Sequence, residues 1–209
     1  VKGLAILSGP LTRISIENPS IKSILIDLQF DTIYHEHYSY LSASAVHEIS
    51  KRNGLQLVKV EELAIHGGSN RYWLASYCRS NRIDESVGKV VNSEKEIGLF
   101  DSHKWQDYST KVKDTLNGFR DWLNTDAELP RRIYGYGAAA KASTILNSIG
   151  SNTKYIRGLA DASQEKQSRF MPPLGMPIMS PQELFAANPT DVVVFPWNIS
   201  HEIVNYLRP

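Results

Sequence analysis

Five consecutive residues carry the densest set of reactive side chains in the chain: Tyr34-His35-Glu36-His37-Tyr38. An imidazole titrating near neutral pH suits general base work. A neighbouring carboxylate can orient it, and a phenol can donate to an oxyanion as charge develops. Drawn as an extended strand, His35 and His37 share one face while Tyr34, Glu36 and Tyr38 share the other. Two other readings of the same residues stay open. A polar strand edge with aromatic packing needs no chemistry at all. A His-x-His pair beside a carboxylate also suits zinc or non-haem iron. A further ligand would then have to come from His66 or a distant acid, and the sequence supplies no second tight cluster, so no metal is expected.

Four further stretches point to ligand binding. His66-Gly67-Gly68-Ser69-Asn70-Arg71 combines glycines, which let backbone approach a ligand, with an arginine able to hold phosphate through two nitrogens. The same residues also read as an ordinary hairpin turn. Tyr134-Gly135-Tyr136-Gly137-Ala138-Ala139-Ala140-Lys141 follows an apolar run and opens a helix. Free amides at a helix N-terminus attract phosphate, and Lys141 adds a full charge. Alanine stands in the third glycine position of a dinucleotide fingerprint, and Asp161 lies 21 residues past Ala140, where such folds place a ribose-binding acid. Residues 161–173 are polar, with Lys166, Gln167 and Arg169, and can close over phosphates or lie as a solvated loop. Pro196-Trp197-Asn198 follows an apolar strand at the end of a sheet where ligands bind, with Trp197 able to stack on a base or simply to pack.

The elements that must position these residues alternate along the chain. Ile14–Ile16 predicts a short strand. Ser20 predicts the cap of a helix over 21–28, and Ser42 or Ser44 that of another, with Ala45, Val46 and Ile49 inward and Gly54 as its left-handed end. Residues 55–65 and 71–78 read as an antiparallel hairpin through Gly67-Gly68. Cys78, the single cysteine, is expected to be buried; one cysteine excludes an internal disulfide and fits a reducing cytoplasm. Val87, Val90, Val91, Glu94 and Ile97 are loosely helical. Trp105, Tyr108, Val112, Leu116, Phe119 and Leu123 recur at helical intervals over 101–123 and predict core packing. After Pro130, strands at 133–135, 155–160, 178–179 and 191–195 alternate with helices at 137–149, 181–187 and 200–207, which predicts a parallel sheet of order 2-1-3.

The predicted fold class is therefore α/β: a Rossmann-like parallel sheet at the C-terminal end, preceded by a smaller α+β portion with an antiparallel hairpin. The predicted division is a leader of uncertain origin over 1–13, an α+β portion over 14–130, and a Rossmann-like nucleotide-binding subdomain over 131–209, with 124–132 as the linker. The chain opens on Val1, which points to a processed chain or a fragment, and it is expected to stop at Pro209 before a last strand. Of 209 residues, 42% are hydrophobic and 22% charged, enough for one large or two small cores. A net charge of +1 without runs of one sign gives no electrostatic argument for a nucleic-acid or acidic-membrane partner. No apolar stretch reaches the ~20 residues that cross a bilayer.

Together, Phe30–Tyr40, His66–Ser69, Tyr136–Lys141, Lys166-Gln167 and Pro196–Asn198 resemble the C-terminal half of sugar C-methyltransferases that act on dTDP-linked keto-deoxysugars. The likeness runs from about Ile14 to the end. It implies that a base removes the proton beside the sugar ketone and that the enolate attacks the methyl group of S-adenosylmethionine. Tyr34 and His37 become the acid–base pair, Glu36 orients His37, and the residues from Gly137 to Lys141 face the nucleotide diphosphate. His66, Ser69, Arg71, Ala138, Ala139, Asp161, Lys166, Arg169, Trp197 and Asn198 complete the expected substrate contacts. Such chains also carry zinc-binding and S-adenosylmethionine-binding parts upstream, and neither has a counterpart in these residues. This chain is therefore expected to be inactive by itself, its partners being the dTDP-sugar and a cofactor domain normally in the same polypeptide. The alternatives are a nucleotide-sugar-binding module without catalysis and, further from the residues' pattern, a His-x-His metal enzyme.

Overall fold

The computed structural model describes residues 1–78, 81–125, 130–172 and 174–208. Of the expected linker over 124–132, residues 126–129 lie outside the described residues, as do Pro173 and Pro209. The chain divides into two compact units: residues 1–29 with 36–110, and residues 30–35 with 111–209.

The first unit opens with α1 (Lys2–Ile6) and β1 (Arg13–Pro19), then α2 (Ile21–Ile26) and α3 (Ala43–Arg52). The two strands β2 (Leu55–Leu63) and β3 (Ser69–Ser76) form the expected hairpin, followed by α4 (Glu85–Glu96) and the first half of α5 (Ser102–Asn124). The sheet is antiparallel with order β1-β3-β2. In β2 the buried positions are Leu55, Leu57 and Val60, and the register shifts between Leu57 and Lys59. That bulge explains the broken alternation, because an extra residue returns Val60 to the inner face. These side chains pack with Tyr72 and Leu74 of β3, Ala43 and Val46 of α3, and Val87 and Val90 of α4.

Local capping follows the sequence. The Ser20 hydroxyl accepts from the Ser23 amide, and that of Ser42 from the Ala45 amide at 3.0 Å. Gly54 takes φ +72° beyond the end of α3. Two expectations fail here. Ile49 is exposed, because α3 turns Ala43, Val46 and Ser50 inward, a spacing of three and four. Cys78 is exposed, because β3 ends at Ser76 and the residue has left the packed strand.

The second unit holds the remainder of α5 and a five-stranded sheet. Its elements are β4 (Ile133–Tyr136), α6 (Ala140–Ile149), β5 (Ile156–Ala160), β6 (Arg169–Met171), β7 (Met176–Met179), α7 (Pro181–Ala186), β8 (Asp191–Val194) and α8 (Ser200–Leu207). The strand order is β6-β7-β5-β4-β8, with β6 the one antiparallel member of this sheet. The expected order 2-1-3 does not hold, because the third parallel strand, Met176–Met179, pairs with the strand at 156 and the fourth, at 191, takes the place beside the strand at 133. Met176–Met179 adds beyond β5, so the four parallel strands read 3-2-1-4. Leu146, Ile149, Leu159 and Phe195 pack on one side with Leu116 and Leu123 of α5. Tyr134, Tyr136 and Ala160 pack with Leu184 of α7 and Ile203 of α8 in a separate cluster. Alternation along β4 thus feeds two cores, the mark of a sheet covered by helices on both faces.

The Tyr34–Tyr38 stretch is not a strand. Phe30–Thr32 forms a 3-10 turn, and the chain then bends through residues 34–36 without entering a sheet. Asp31 and Thr32 are buried and fix the entry to the stretch, while Ile33, His35, Glu36 and Tyr38 are exposed. With no ladder to hold a period of two, the shared faces drawn for His35 and His37 do not arise.

Candidate functional site

In the second unit the glycine-rich segment joins β4 to α6. Gly135 lies inside the strand, and a Cβ there would stand 2.4 Å from Leu159 and 2.6 Å from Phe195. Gly137 takes φ +92°, and a Cβ on it would meet the Pro196 ring at 2.4 Å. One glycine is thus required for strand packing and the other for backbone conformation and contact with the segment after β8. The helix itself starts at Ala140, later than expected, so residues 137–139 form the turn.

Asp161 follows β5 and reaches this turn. Its Oδ2 accepts from the Ala138 amide at 2.8 Å and from the Lys166 ammonium at 3.1 Å; its Oδ1 accepts from the Ser163 amide at 2.9 Å. Gln167 donates to the Asp161 carbonyl. The carboxylate is therefore committed to shaping the turn and holding Lys166.

Outside the carboxyl ends of β4, β5 and β8 lies a cavity of about 600 Å³, bordered by Gly137, Ala139, Asp161, Lys166, Pro196 and Tyr206 among others. Crevices in this position, where the sheet order reverses, are where open α/β sheets bind ligands. Burial raises the Tyr136 phenol pKa, helped by the nearby Tyr206 and Asp161, so Tyr136 remains a neutral phenol at physiological pH.

Beside the turn, Lys141, Trp197 and Asn198 converge. The Lys141 ammonium donates to Asn198 Oδ1 at 3.0 Å and stands 4.0 Å from the centre of the Trp197 ring. The Trp197 indole donates to Asp31 Oδ2 at 2.7 Å. Burial pushes the Asp31 pKa up, against the opposing indole bond and the charge of Lys141; burial likewise pushes Lys141 down, against Asp31. Sequence reasoning gave Asp31 no role at the site. The two ends of its bond to Trp197 are 166 residues apart, and no local pattern announces it.

The other expected residues are placed as follows. Arg169 lies exposed on β6. Tyr34 belongs to the second unit, and Glu36 and His37 to the first. His37 is half-buried, with its ring edge-on to Tyr40 at 6.1 Å. In the first unit His66 takes φ +56° in the hairpin turn, Ser69 is buried at the start of β3, and Arg71 holds Glu17 through Nε and Nη2 at 3.1 and 2.8 Å. Among the described residues, no group of three His, Cys, Asp or Glu side chains is placed to hold a metal ion, and no helix is long and apolar enough to cross a membrane.

S-adenosylmethionine would need a free acid after the second strand to bind its ribose hydroxyls. Asp161 holds that position, but its oxygens already accept from Ala138, Ser163 and Lys166. These residues do not fit that cofactor.

The chain is 26% identical over 205 residues to the C-methyltransferase NovU of Streptomyces niveus, an alignment covering 98% of this chain and 49% of that protein. It therefore spans about half the length of the relative. Residues 64–208, which contain the hairpin turn, the whole of the larger sheet and the crevice, match the family described as C-methyltransferase C-terminal domain. With more than half of its length inside that match, the chain belongs to the C-methyltransferase C-terminal domain family.

Proposed function

We propose that this chain is the substrate-holding half of an S-adenosylmethionine-dependent sugar C-methyltransferase. It binds a dTDP-linked keto-deoxysugar and supplies the proton transfer that precedes methylation. The observation that carries this reading is the crevice at the carboxyl ends of β4, β5 and β8, bounded by the Gly137 turn and Lys166. Ala139, the N-cap of α6, borders it, and Lys141 follows in the first turn of that helix. Amide donors, helix dipole and ammonium together favour a diphosphate. Asp161 supports this by fixing the turn and holding Lys166 rather than by binding ribose.

In this reading His37 removes the proton beside the ketone, Glu36 orients its ring, and Tyr34 donates to the oxygen that becomes the enolate. The cofactor is held outside the residues described here, and none of these steps passes through it. The reading is supported by family membership and by the residue types in the Tyr34–Tyr38 stretch. The test is deuterium exchange from heavy water into the sugar carbon beside the ketone, followed by NMR. Exchange requires binding and proton abstraction but no methyl donor. His37→Ala is expected to slow it roughly 100- to 10,000-fold, the usual weight of a general base. Exchange that survives in His37→Ala and disappears in Tyr34→Phe makes the phenol the base. Exchange unaffected in both variants removes the stretch from the mechanism. Binding without exchange in the unaltered chain leaves a nucleotide-sugar-binding module.

A further inference from the structure

We propose that the nucleobase of the ligand stacks on Tyr206, and that Tyr206, not Trp197, is the aromatic platform of the crevice. This rests on the nucleotide reading above and names the residue that receives the base. A ligand that brought only phosphate would need little more than the turn and Lys166. The crevice has instead an extensive apolar wall. Ile199, Glu202, Ile203 and Tyr206 border it at intervals of three and four, so one face of α8 and its N-cap is turned to the cavity. At about 600 Å³ the space falls within the usual range for small-molecule sites.

Trp197 is the aromatic residue that the sequence offers for stacking or for packing, and its geometry is committed elsewhere. The Lys141 ammonium lies over its ring at 4.0 Å, and its indole N–H is used by Asp31. It borders a different, smaller apolar cavity of about 200 Å³, with Phe30, Leu116 and Phe119. Tyr206 has the opposite character. It is 52% exposed and borders the crevice. Phe185 and Tyr136 lie at tilted angles beside it, with ring centres at 6.3 and 6.5 Å. Such neighbours hold an aromatic ring in place while leaving surface open. Stacking is tolerant of base identity, so this platform supplies affinity for any nucleobase and leaves selectivity to polar neighbours.

The test uses calorimetry with dTDP and with inorganic pyrophosphate on the full chain and on Tyr206→Ala and Tyr206→Phe. Tyr206→Ala is expected to bind dTDP roughly 5- to 150-fold more weakly, the span found for base–aromatic stacking. Its affinity for pyrophosphate should stay within about twofold, and Tyr206→Phe should retain dTDP binding, since stacking uses the ring rather than the hydroxyl. In the unaltered chain, transferred Overhauser contacts should link the thymine methyl and H6 protons to the Tyr206 ring. If Tyr206→Ala does not fold, those contacts and Tyr206→Leu, which keeps apolar bulk without a flat face, decide the matter. Wild-type dTDP affinity in Tyr206→Ala overturns the assignment of Tyr206 alone. No dTDP binding by the unaltered chain overturns the nucleotide reading and this assignment with it.

Discussion

Asp31 is 3% exposed, and its carboxylate pKa is raised above 3.8, chiefly by burial. The folded state therefore holds the Asp31 proton more tightly than the unfolded state does. By linkage, stability contributed by this group is fully present below the unfolded value and is lost as pH rises through the higher folded value. Asp191 behaves in the opposite sense. The Arg131 guanidinium holds its pKa below 3.8, so its contribution is present above that value and lost on acidification. Asp31→Asn keeps an oxygen acceptor for the Trp197 indole and removes the charge. Urea unfolding of the two proteins at several pH values should therefore show the variant gaining on the wild type as pH climbs from about the unfolded value through the folded one. A stability difference that does not change with pH, or one that changes in the other direction, would reject the linkage. Lys141, Trp197 and Asn198 were singled out because each follows a strand or opens a helix, and the folded chain brings the three together. The acid they gather around was not legible, since only the folded chain brings Asp31 to Trp197.

Elements were legible where a local rule decides them. The stripe from Trp105 to Leu123 is buried or half-buried throughout, as helical spacing requires. Ser20 and Ser42 cap the helices they precede. The antiparallel β6 was missed because its three residues are exposed, exposed and buried, too short to show alternation. The strand drawn through Tyr34–Tyr38 does not form, because residue types reveal chemistry but not a strand partner. The β4 strand shows how strict a local element can be. Gly135 lies where Leu159 and Phe195 close over it, both buried in the core. Gly135→Ala adds one methyl group to a space without room, and overpacking of this kind costs about 1–3 kcal/mol. The urea midpoint should fall accordingly with little change in the slope. A midpoint equal to that of the wild type would mean that the sheet relaxes around the methyl group.

At the scale of the whole molecule, the crevice belongs to one unit and the hairpin sheet to the other. A ligand that binds only the native form stabilises it by RT ln(1 + [L]/Kd), about 2.7 kcal/mol at a hundredfold excess over Kd. In amide hydrogen exchange this energy appears only in segments whose opening destroys the site. With dTDP at that excess, amides of β4, β5 and α6 should exchange about 100-fold more slowly, because their opening breaks the Gly137 turn. Those of β2 and β3 sit in the separate core of Leu55, Leu57, Tyr72 and Leu74 and serve as the internal reference. Unchanged rates in the reference with slowing in the sheet around β4 would show two units that open independently. Equal slowing in both would show that the chain opens as one cooperative body. Slowing confined to β2 and β3 would place the ligand in the hairpin unit, and with it remove the crevice as the nucleotide site.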